Sequence, residues 1–521
     1  MLIFLSIVIL LLNIFHPYKP VLNPSKQLLF GAAYRQAQTA TVAKNYYHDG
    51  INLFTAELDV LGVGPEKNLL LEMPIYQAIV AFLYKIFGEY PSIGNLLSLL
   101  SHFISTIILF LILKYLHKEN YFAFTTSIIY LFFPLNIYYS SHFIGDGICI
   151  MFLLFGMYIC LRFIDKPHIT TFVLSILFFL LSFLIKPPYG PFIFLPLLYY
   201  ALSQKKDKWK KTTYFLVVCF VTVAITFIWQ SYTQNYNVAH GYSFFSLSNP
   251  EYRDRIFGIG EHQIQVRLSL YEWIYRLGHI FITPDFSSWK PMVTLLPVWY
   301  IIGVYSYLKY GFAQKTFSRF LHFWIVGYII YYFIFFNAMN HYYYGLIMIP
   351  LAAIILAHPL FHFYKICREK YMKITYGITG GILSIYIILT SITFLNDTIG
   401  DDYKLLYDTA KEIESHTELN SSIIHVSWVG WNSTVAFHSN RVILPQPYNP
   451  KEEWLVFDHQ KILERDFDKY DYLVINKKTV KDLISMVGPV FEDYFQTHDP
   501  LEIEDGKTLI FESDIIKLYK L

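Results

Sequence analysis

Apolar stretches of nearly membrane-spanning length recur along the whole chain, and this repetition most constrains its fold. About eleven of them approach the roughly 20 residues that an α-helix needs to cross a bilayer. They lie near 1–17, 95–114, 121–137, 147–164, 169–186, 191–203, 213–230, 292–308, 319–337, 344–361 and 374–394. Only 15% of the 521 residues are charged, against about 25% in a soluble domain. The pattern predicts a polytopic α-helical membrane protein.

The polar segments between these stretches are of two kinds, which predicts how the chain is oriented. One kind is short and basic and holds Lys114, Lys118, Arg162, Lys166, Lys205, Lys206, Lys208, Lys210, Lys211, Lys309, Lys315, Arg319, Lys365, Arg368, Lys370 and Lys373. Because Lys and Arg favour cytoplasmic loops, we expect these connections inside. The alternate connections are then outside, near 18–94, 138–146, 186–190, 231–291, 338–343 and everything after about 395. Almost all candidate chemistry lies in this outer set, so we expect a cell-membrane protein that works at its extracytoplasmic face.

One apolar segment, Pro74 to Phe87, is too short for a span and contains Lys85. If it crossed the membrane, every later basic connection would move outside. We therefore expect an interfacial helix over 74–87, lying on the outer surface within the first outer loop. Because Pro187 and Pro188 end the helix before them, residues 169–203 are expected to form two spans joined by an outer turn.

The composition changes after the last apolar stretch. Apolar residues at helical spacing predict a helix over 402–416. Short strands are predicted in the runs SIIHVSW, RVILP, YDYLVIN, TLIFES and DIIKLYKL, the last two as a hairpin that can add antiparallel edge strands. Alternating strands and helices are typical of an α/β domain with a mostly parallel sheet. We predict a membrane domain over 1–397 and a soluble extracytoplasmic α/β domain over 398–521.

The first outer loop carries the richest set of candidate groups. Among its carboxylates are Asp59 and Glu72, and a positioned carboxylate at a membrane surface can take the proton from an acceptor hydroxyl. Arg35 offers a planar guanidinium for a phosphate group, with Gln36 beside it. The alternative is that these charges only solvate a loop.

Three further outer positions combine a polar group with the end of a predicted span. Asp146 opens a span, where it can either cap a helix or act on a substrate. Lys186 ends a span, where it can either reach lipid headgroups or neutralise a phosphate. His341, Tyr342 and Tyr343 open another span, and tyrosines there also form ordinary aromatic belts.

The outer segments at 231–291 and after 395 add weaker candidates. The first contains several arginines, which either form structural pairs or bind an anionic phosphate. Its Glu261 and His262 can supply metal ligands together with a first-loop carboxylate, so a divalent metal is one option and the cofactor stays open. In the C-terminal segment, Trp428, Trp431 and His438 can stack on a sugar or pack a strand–helix junction.

Several of these motifs together resemble the GT-C membrane glycosyltransferases. The similar branch is bacterial and archaeal, related to protein O-mannosyltransferases and to the enzyme that adds aminoarabinose to lipid A. The motifs stand here as Tyr34-Arg35-Gln36 with Thr39-Ala40, Ala43-Lys44-Asn45-Tyr46, Asp59 with Gly62, Glu72-Met73-Pro74-Ile75, and His341-Tyr342-Tyr343 with Pro350. Tyr34 replaces the family's Trp, and Arg35-Gln36 stand about where many of these enzymes have an acidic pair.

The resemblance implies an inverting glycosyltransferase. Such enzymes take a sugar from a polyprenyl-phosphate donor at the outer face and pass it to a lipid, glycan or protein acceptor. Asp59, Asp146 and Glu72 are then the candidate bases, and we choose Asp59 first because Gly62 permits a tight turn beside it.

The substrate-binding residues expected from the same resemblance are Arg35, Gln36, Lys186, His341, Tyr342 and Tyr343. The donor phosphate would meet the basic members of this set. The C-terminal domain is expected to help capture the acceptor rather than to catalyse.

Two non-enzymatic classes compete with this interpretation. A transporter or lipid flippase favours broken helices with ionisable groups near the middle of the membrane, whereas the charges here gather at the ends of spans. A scaffold or receptor would use the C-terminal domain to bind a partner. A nucleic-acid partner has no electrostatic support, because the net charge is only +2.

Overall fold

The structure, a computed structural model, resolves two compact units. The described residues are 33–60, 67–140, 142–240, 253, 269–281, 290–310, 315–395, 401–419, 421–427, 433–447, 470–477 and 508–521. Unit 1 comprises Met1–Gln27, Leu71–Asn235 and Ser243–Thr398, and unit 2 comprises Leu28–Leu70, Tyr236–Tyr242 and Ile399–Leu521. The predicted span at 1–17 lies outside the described residues.

The described helices are α1 (Ala33–Asp49), α2 (Ile75–Phe87), α3 (Ser92–His117), α4 (Asn120–Leu131), α5 (Pro134–Ser140), α6 (Asp146–Asp165), α7 (Ile169–Ile185), α8 (Phe194–Leu202), α9 (Lys208–Ala239), α10 (Leu270–Phe281), α11 (Lys290–Tyr310), α12 (Lys315–Ile334), α13 (Ile349–Leu395), α14 (Asp401–His416) and α15 (Thr434–Ser439). Four 3-10 turns accompany them: Pro187–Tyr189, Pro191–Ile193, Asn337–Asn340 and Tyr342–Met348.

Unit 1 is a bundle of apolar helices. In the described part of the chain, five helices are long and apolar enough to cross a membrane: Ser92–His117, Asp146–Asp165, Lys208–Ala239, Thr316–Ile334 and Tyr342–Cys367. A sixth follows if α4 and α5, which meet at an angle of 56°, form one span. Pro134 opens α5 and cannot continue the hydrogen bonding of α4, which accounts for the bend. The structure thus supports a polytopic membrane protein, and the count of eleven spans is not confirmed.

Two of the predicted spans are joined in the structure. Residues 344–361 and 374–394 were expected to be separate, but 349–395 form the single 47-residue helix α13. The basic segment between them contains no glycine and no proline, and its residues are tolerated in helices. The charged residues therefore make this segment polar, but they do not end the helix. The break expected at Pro187 is present, since α7 ends at Ile185 and 3-10 turns lead into α8.

Helix α2 occupies nearly the range predicted for an interfacial helix. It begins after Pro74 and ends at Gly88, whose φ of 92° favours glycine. One face is buried through Tyr76, Gln77, Val80, Ala81 and Tyr84. The opposite side exposes large apolar side chains: Phe82, Ile86 and Phe87. This division of faces fits a helix at a membrane surface, which stays a prediction.

Unit 2 contains a five-stranded sheet with two helices on one face. The strands are β1 (Ser422–Ser427), β2 (Val442–Pro447), β3 (Tyr472–Asn476), β4 (Thr508–Glu512) and β5 (Ile516–Lys520), in the order β2-β1-β3-β5-β4. The pairs β1–β2 and β1–β3 are parallel, whereas β3–β5 and β4–β5 are antiparallel. Of the terminal hairpin only β4 is an edge strand, because the buried apolar β5 inserts between β3 and β4.

The core of unit 2 lies between this sheet and helices α14 and α15. It includes Leu406, Ile413, Ile423, Val435 and Val474. The opposite face of the sheet buries a smaller set: Ile424, Leu444, Leu473, Ile475 and Tyr519. The strands lie where the apolar runs predicted them.

Part of the first loop belongs to this core as well. Val60 is fully buried and forms a parallel bridge with Ile443, whose backbone N–H donates to the carbonyl of Asp59 at 2.8 Å. Helix α1 packs against α15. The division predicted from the sequence assigned these residues to the membrane domain, whereas the compact unit that contains them is unit 2.

Candidate active site

A buried charged cluster lies where three elements of unit 1 meet. The ammonium of Lys186 is 3.1 Å and 3.2 Å from the two carboxylate oxygens of Asp146. The hydroxyl of Tyr189 is 2.6 Å from the first of these oxygens. The side chains of Asp146 and Lys186 are only 1% and 6% exposed. We call Asp146, Lys186 and Tyr189 the polar clasp.

Local sequence explains how the polar clasp forms. Asp146 is the first residue of α6, where the helix dipole favours a negative charge. Gly145, just before it, permits a close approach, since a Cβ there would lie 3.2 Å from Ile185 at the end of α7. Lys186 follows α7 directly, and the prolines after it form a 3-10 turn that contains Tyr189.

Aromatic rings join the polar clasp to the 3-10 turn Tyr342–Met348. The ammonium of Lys186 lies 4.7 Å from the ring centroid of Tyr343 and 4.8 Å from that of Tyr344, within the range of cation–π attraction. The Tyr189 hydroxyl is also 2.7 Å from the backbone carbonyl of Tyr343. The ring of His341 stacks on that of Tyr343, with centroids 5.6 Å apart. Three predicted site residues, Lys186, His341 and Tyr343, are thus brought together around Asp146.

The pairing of Asp146 limits the chemistry that it can perform. A buried carboxylate and a buried ammonium both lose hydration, and each offsets this loss through the other. To accept a proton from a substrate, Asp146 would have to weaken its bonds to Lys186 and Tyr189. The geometry therefore favours a positioning role for Asp146.

Glu72 lies in the same unit as the polar clasp. Its charge and those of Asp146 and Lys186 all act on the buried thiol of Cys149. The next residue, Met73, donates its backbone N–H to the carbonyl of Leu184 at 3.0 Å. The backbone next to Glu72 is therefore tied to the C-terminal end of α7, two residues before Lys186.

The remaining candidate base, Asp59, belongs to unit 2 and has looser surroundings. One oxygen, Oδ1, is 3.5 Å from the Asn45 amide and 3.7 Å from the Lys67 ammonium. The side chains of Asp59 and Lys67 are 14% and 37% exposed. The backbone of Asp59 is fixed by its bond to Ile443, while its carboxylate stays partly exposed.

The two first-loop residues expected to bind substrate lie on α1, also in unit 2. The guanidinium of Arg35 donates to the side-chain oxygen of Gln38 at 3.3 Å. Gln36 is buried, with 2% exposure. The structure describes these two residues within their own unit, and their contact with a substrate stays a prediction.

Of the weaker candidates, Arg276 forms structural contacts, and four others lie outside the described residues. Arg276 donates to the carbonyl of Phe336 at 2.7 Å and pairs with Glu272 at 3.2 Å, so it takes the structural option. Glu261, His262, Trp428 and Trp431 lie outside the described residues. Within the described ranges, no group of three or more His, Cys, Asp or Glu side chains could hold a metal ion.

The sequence interpretation missed Tyr189, which contacts two of the three elements that form the clasp. The available signal was the run KPPYGP, in which two prolines fix the backbone immediately before an aromatic residue. Tyr76 was missed as well. Its hydroxyl is 2.7 Å from the carbonyl of Gly94 and 2.9 Å from the hydroxyl of Ser98, which joins α2 to α3.

One segment of the chain matches a known family model. Residues 72–229 match the family model of dolichyl-phosphate-mannose-protein mannosyltransferases. This segment is less than half of the chain and contains the whole polar clasp and Glu72. No curated protein sequence matches the chain.

Solved structures resemble the chain over nearly its whole length. ArnT from Cupriavidus metallidurans, bound to undecaprenyl phosphate, superposes with a TM-score of 0.61 at 11% identity, covering 100% of this chain and 97% of ArnT. Its apo state gives 0.60 at 12% identity, with 99% and 97% covered. The Archaeoglobus fulgidus oligosaccharyltransferase, in complex with Zn and sulfate, gives 0.61 at 10% identity, with 91% and 67% covered.

At these identities the likeness establishes the fold. The fold is that of the GT-C membrane glycosyltransferases, and the resemblance inferred from the sequence motifs is confirmed. Residues 72–229 thus resemble the mannosyltransferase family, and the chain as a whole shares its fold with solved membrane glycosyltransferases.

Proposed function

We propose that this protein is an inverting glycosyltransferase that moves a sugar from a polyprenyl-phosphate donor to a lipid, glycan or protein acceptor at the outer face of the cell membrane. The observation that carries the proposal is the polar clasp, a buried cation held against aromatic rings in the segment that matches a mannosyltransferase family. The ArnT structure with undecaprenyl phosphate supports a lipid-phosphate donor.

Lys186 is the proposed contact for the donor phosphate. Its charge is fixed by Asp146 and the rings of Tyr343 and Tyr344, so little conformational entropy remains to be lost when a phosphate binds. A fixed cation stabilises the negative charge that develops on the phosphate as the sugar leaves. His341, Tyr342 and Arg35 are proposed as further substrate contacts.

Asp146 and Tyr189 are the proposed positioning residues of this cation. Tyr189 offers its one hydroxyl proton to two acceptors, a carboxylate oxygen of Asp146 and the carbonyl of Tyr343. It thereby links the turn after α7 to the 3-10 turn Tyr342–Met348. Changing either residue should disturb donor binding through Lys186.

The proposed base is Asp59, with Glu72 as the residue that orients the acceptor. The Asp59 carboxylate takes the proton from the acceptor hydroxyl, whose oxygen forms a bond to the anomeric carbon. The bond from that carbon to the phosphate oxygen breaks, and polyprenyl phosphate leaves with the bonding electrons. A single displacement of this kind inverts the anomeric centre. A metal requirement and the identity of sugar and acceptor stay open, and unit 2 is proposed to help capture the acceptor.

The direct test is an assay of the purified protein in lipid nanodiscs with a panel of polyprenyl-phosphate sugars. We expect release of polyprenyl phosphate and transfer of the sugar from at least one donor. Mass spectrometry of envelope glycans and lipids from cells with and without the protein should reveal the acceptor. Folded protein that consumes none of the donors, combined with unchanged envelope glycans, would overturn the proposal.

A further inference from the structure

The connection between α8 and α9, far along the chain from the candidate bases, forms a fixed basic surface. Within 203–211 it contains Lys205, Lys206, Lys208, Lys210 and Lys211. Arg162 and Lys166, at the end of α6, add two more cations. Together 162–166 and 203–211 hold seven cations and only the carboxylates of Asp165 and Asp207. We call these two segments the basic turn.

The basic turn is anchored rather than loosely solvated. The Lys211 ammonium donates to the backbone carbonyl of Asp165 at 3.1 Å and to the side chain of Gln204 at 3.3 Å. The Asp165 carboxylate accepts from the hydroxyl of Tyr200 at 3.0 Å and from that of Tyr115. The two tyrosine hydroxyls hold the Asp165 carboxylate in place. These bonds join the two basic segments to each other.

The cations that are not used as anchors face outward. Lys205, Lys206 and Lys210 are exposed, and so are Arg162 and Lys166. Two carboxylates, Asp165 and Asp207, offset only part of the seven positive charges, so the surface repels itself and attracts anions. Because the anchoring bonds hold the two segments together, the repulsion cannot be relieved by moving them apart.

An exposed tryptophan marks the depth at which this surface lies. Trp209, in the first turn of α9, is 73% exposed, and the Lys208 ammonium lies 5.1 Å from its ring centroid. Phe220 and Phe227 follow on the same face of α9 and are 74% and 72% exposed. Large apolar side chains in such a row face lipid, and a tryptophan at the polar end of the row is typical of the headgroup level.

We propose that the basic turn is a binding site for anionic phospholipids. The exposed lysines contact the phosphodiester of the headgroup, while Trp209 lies beside the first carbons of the acyl chains. By the positive-inside rule this is the cytoplasmic leaflet. The site is independent of the glycosyl-transfer chemistry proposed above.

Lipid binding by delipidated, detergent-solubilised protein tests this proposal. We expect phosphatidylglycerol to bind more tightly than phosphatidylcholine, and less tightly at high salt. Each lysine that contacts the headgroup phosphate contributes about a fivefold increase in affinity through a charge-assisted hydrogen bond, so the triple variant Lys205→Gln/Lys206→Gln/Lys210→Gln should bind phosphatidylglycerol about 100-fold more weakly. The variant Trp209→Ser should weaken both lipids.

A matched variant tests whether lipid binding depends on the basic turn or on exposed lysines in general. Lys114→Gln/Lys118→Gln/Lys365→Gln removes three exposed lysines from other basic connections and should leave lipid binding nearly unchanged. Equal losses in the two triple variants would overturn the proposal, and so would equal binding of the two lipids. Competition by inorganic phosphate at the lipid's own concentration would also contradict it, because the site would then bind free anions. Unfolding midpoints in phosphatidylcholine confirm that each variant folds.

Discussion

The carboxylates of Asp146 and Asp59 are both candidate bases, yet they differ in exposure and in the length of their polar contacts. Asp146 is 1% exposed and contacts Lys186 through both oxygens. Asp59 is 14% exposed, and its contacts to Asn45 and Lys67 are 3.5 Å and 3.7 Å long. A fully paired carboxylate holds other groups in place, whereas a carboxylate with long, partly exposed contacts can take a proton. We therefore propose that Asp146 positions Lys186 and that Asp59 takes the proton.

The largest expected effect on stability comes from breaking the buried pair. The variant Lys186→Met leaves the carboxylate of Asp146 without its ammonium, which destabilises a protein by about 3–5 kcal/mol. Unfolding of purified protein in detergent measures the loss. The double variant Asp146→Asn/Lys186→Met should recover most of the stability but not donor binding. A single variant as stable as the unchanged protein would show that the pair is not desolvated.

The stability of unit 2, which contains Asp59, should depend on pH. Burial lowers the pKa of His425, on β1, from 6.5 to about 4. The unfolded chain therefore binds a proton at a pH where folded unit 2 does not. His425 alone should lower the stability of unit 2 by about 3 kcal/mol as the pH drops from about 6.5 to about 4. Amide exchange of β1, corrected for its intrinsic pH dependence, should show the loss. His425→Gln should remove the part due to His425, while His438, whose pKa burial lowers to about 3, still contributes.

The variant Tyr189→Phe tests the polar clasp with a smaller change. It removes one hydroxyl that contacts a charged oxygen, an interaction worth about 2 kcal/mol, and keeps the buried ring. We expect a raised KM for the donor with a smaller change in kcat. Tyr386→Phe is the matched control, because its buried hydroxyl donates to a backbone carbonyl, that of Ile129, and not to a charged oxygen of the polar clasp. Equal effects of the two variants on KM would argue against a role for Tyr189 in holding Lys186.

The smallest effect is expected at the partner of Asp59. Lys67 is 37% exposed, and exposed ion pairs contribute less than about 1 kcal/mol. Lys67→Gln should therefore leave the unfolding midpoint almost unchanged, in contrast to Lys186→Met. A large loss of stability would mean that Asp59 is as tightly paired as Asp146.

Sequence patterns predicted the fold where local signals are strong. Apolar length located the helices, and apolar runs located β1, β2 and β3. They failed where a boundary depends on more than polarity: α13 continues through a basic segment because nothing there breaks a helix. They also missed that Val60 pairs with Ile443, since that bridge joins parts of the chain hundreds of residues apart.

The candidate site was predicted as separate residues and not as an arrangement. Asp146, Lys186 and Tyr343 were each singled out for standing at the end of a span. Their contact depends on how three helix ends pack, which no spacing in the sequence reveals. Tyr189 was overlooked because the run KPPYGP indicates a fixed turn but does not reveal that the tyrosine hydroxyl lies beside a carboxylate.

The most direct test of the central claim is a single-turnover measurement on Asp59→Asn, with donor binding measured on the same protein. The account predicts that the rate of sugar transfer falls by about 10²–10⁴-fold, while the dissociation constant of the donor and the unfolding midpoint change little. Normal turnover by Asp59→Asn would contradict it. If Glu72→Gln or Asp146→Asn is then inactive although folded and able to bind donor, the role of base passes to that residue.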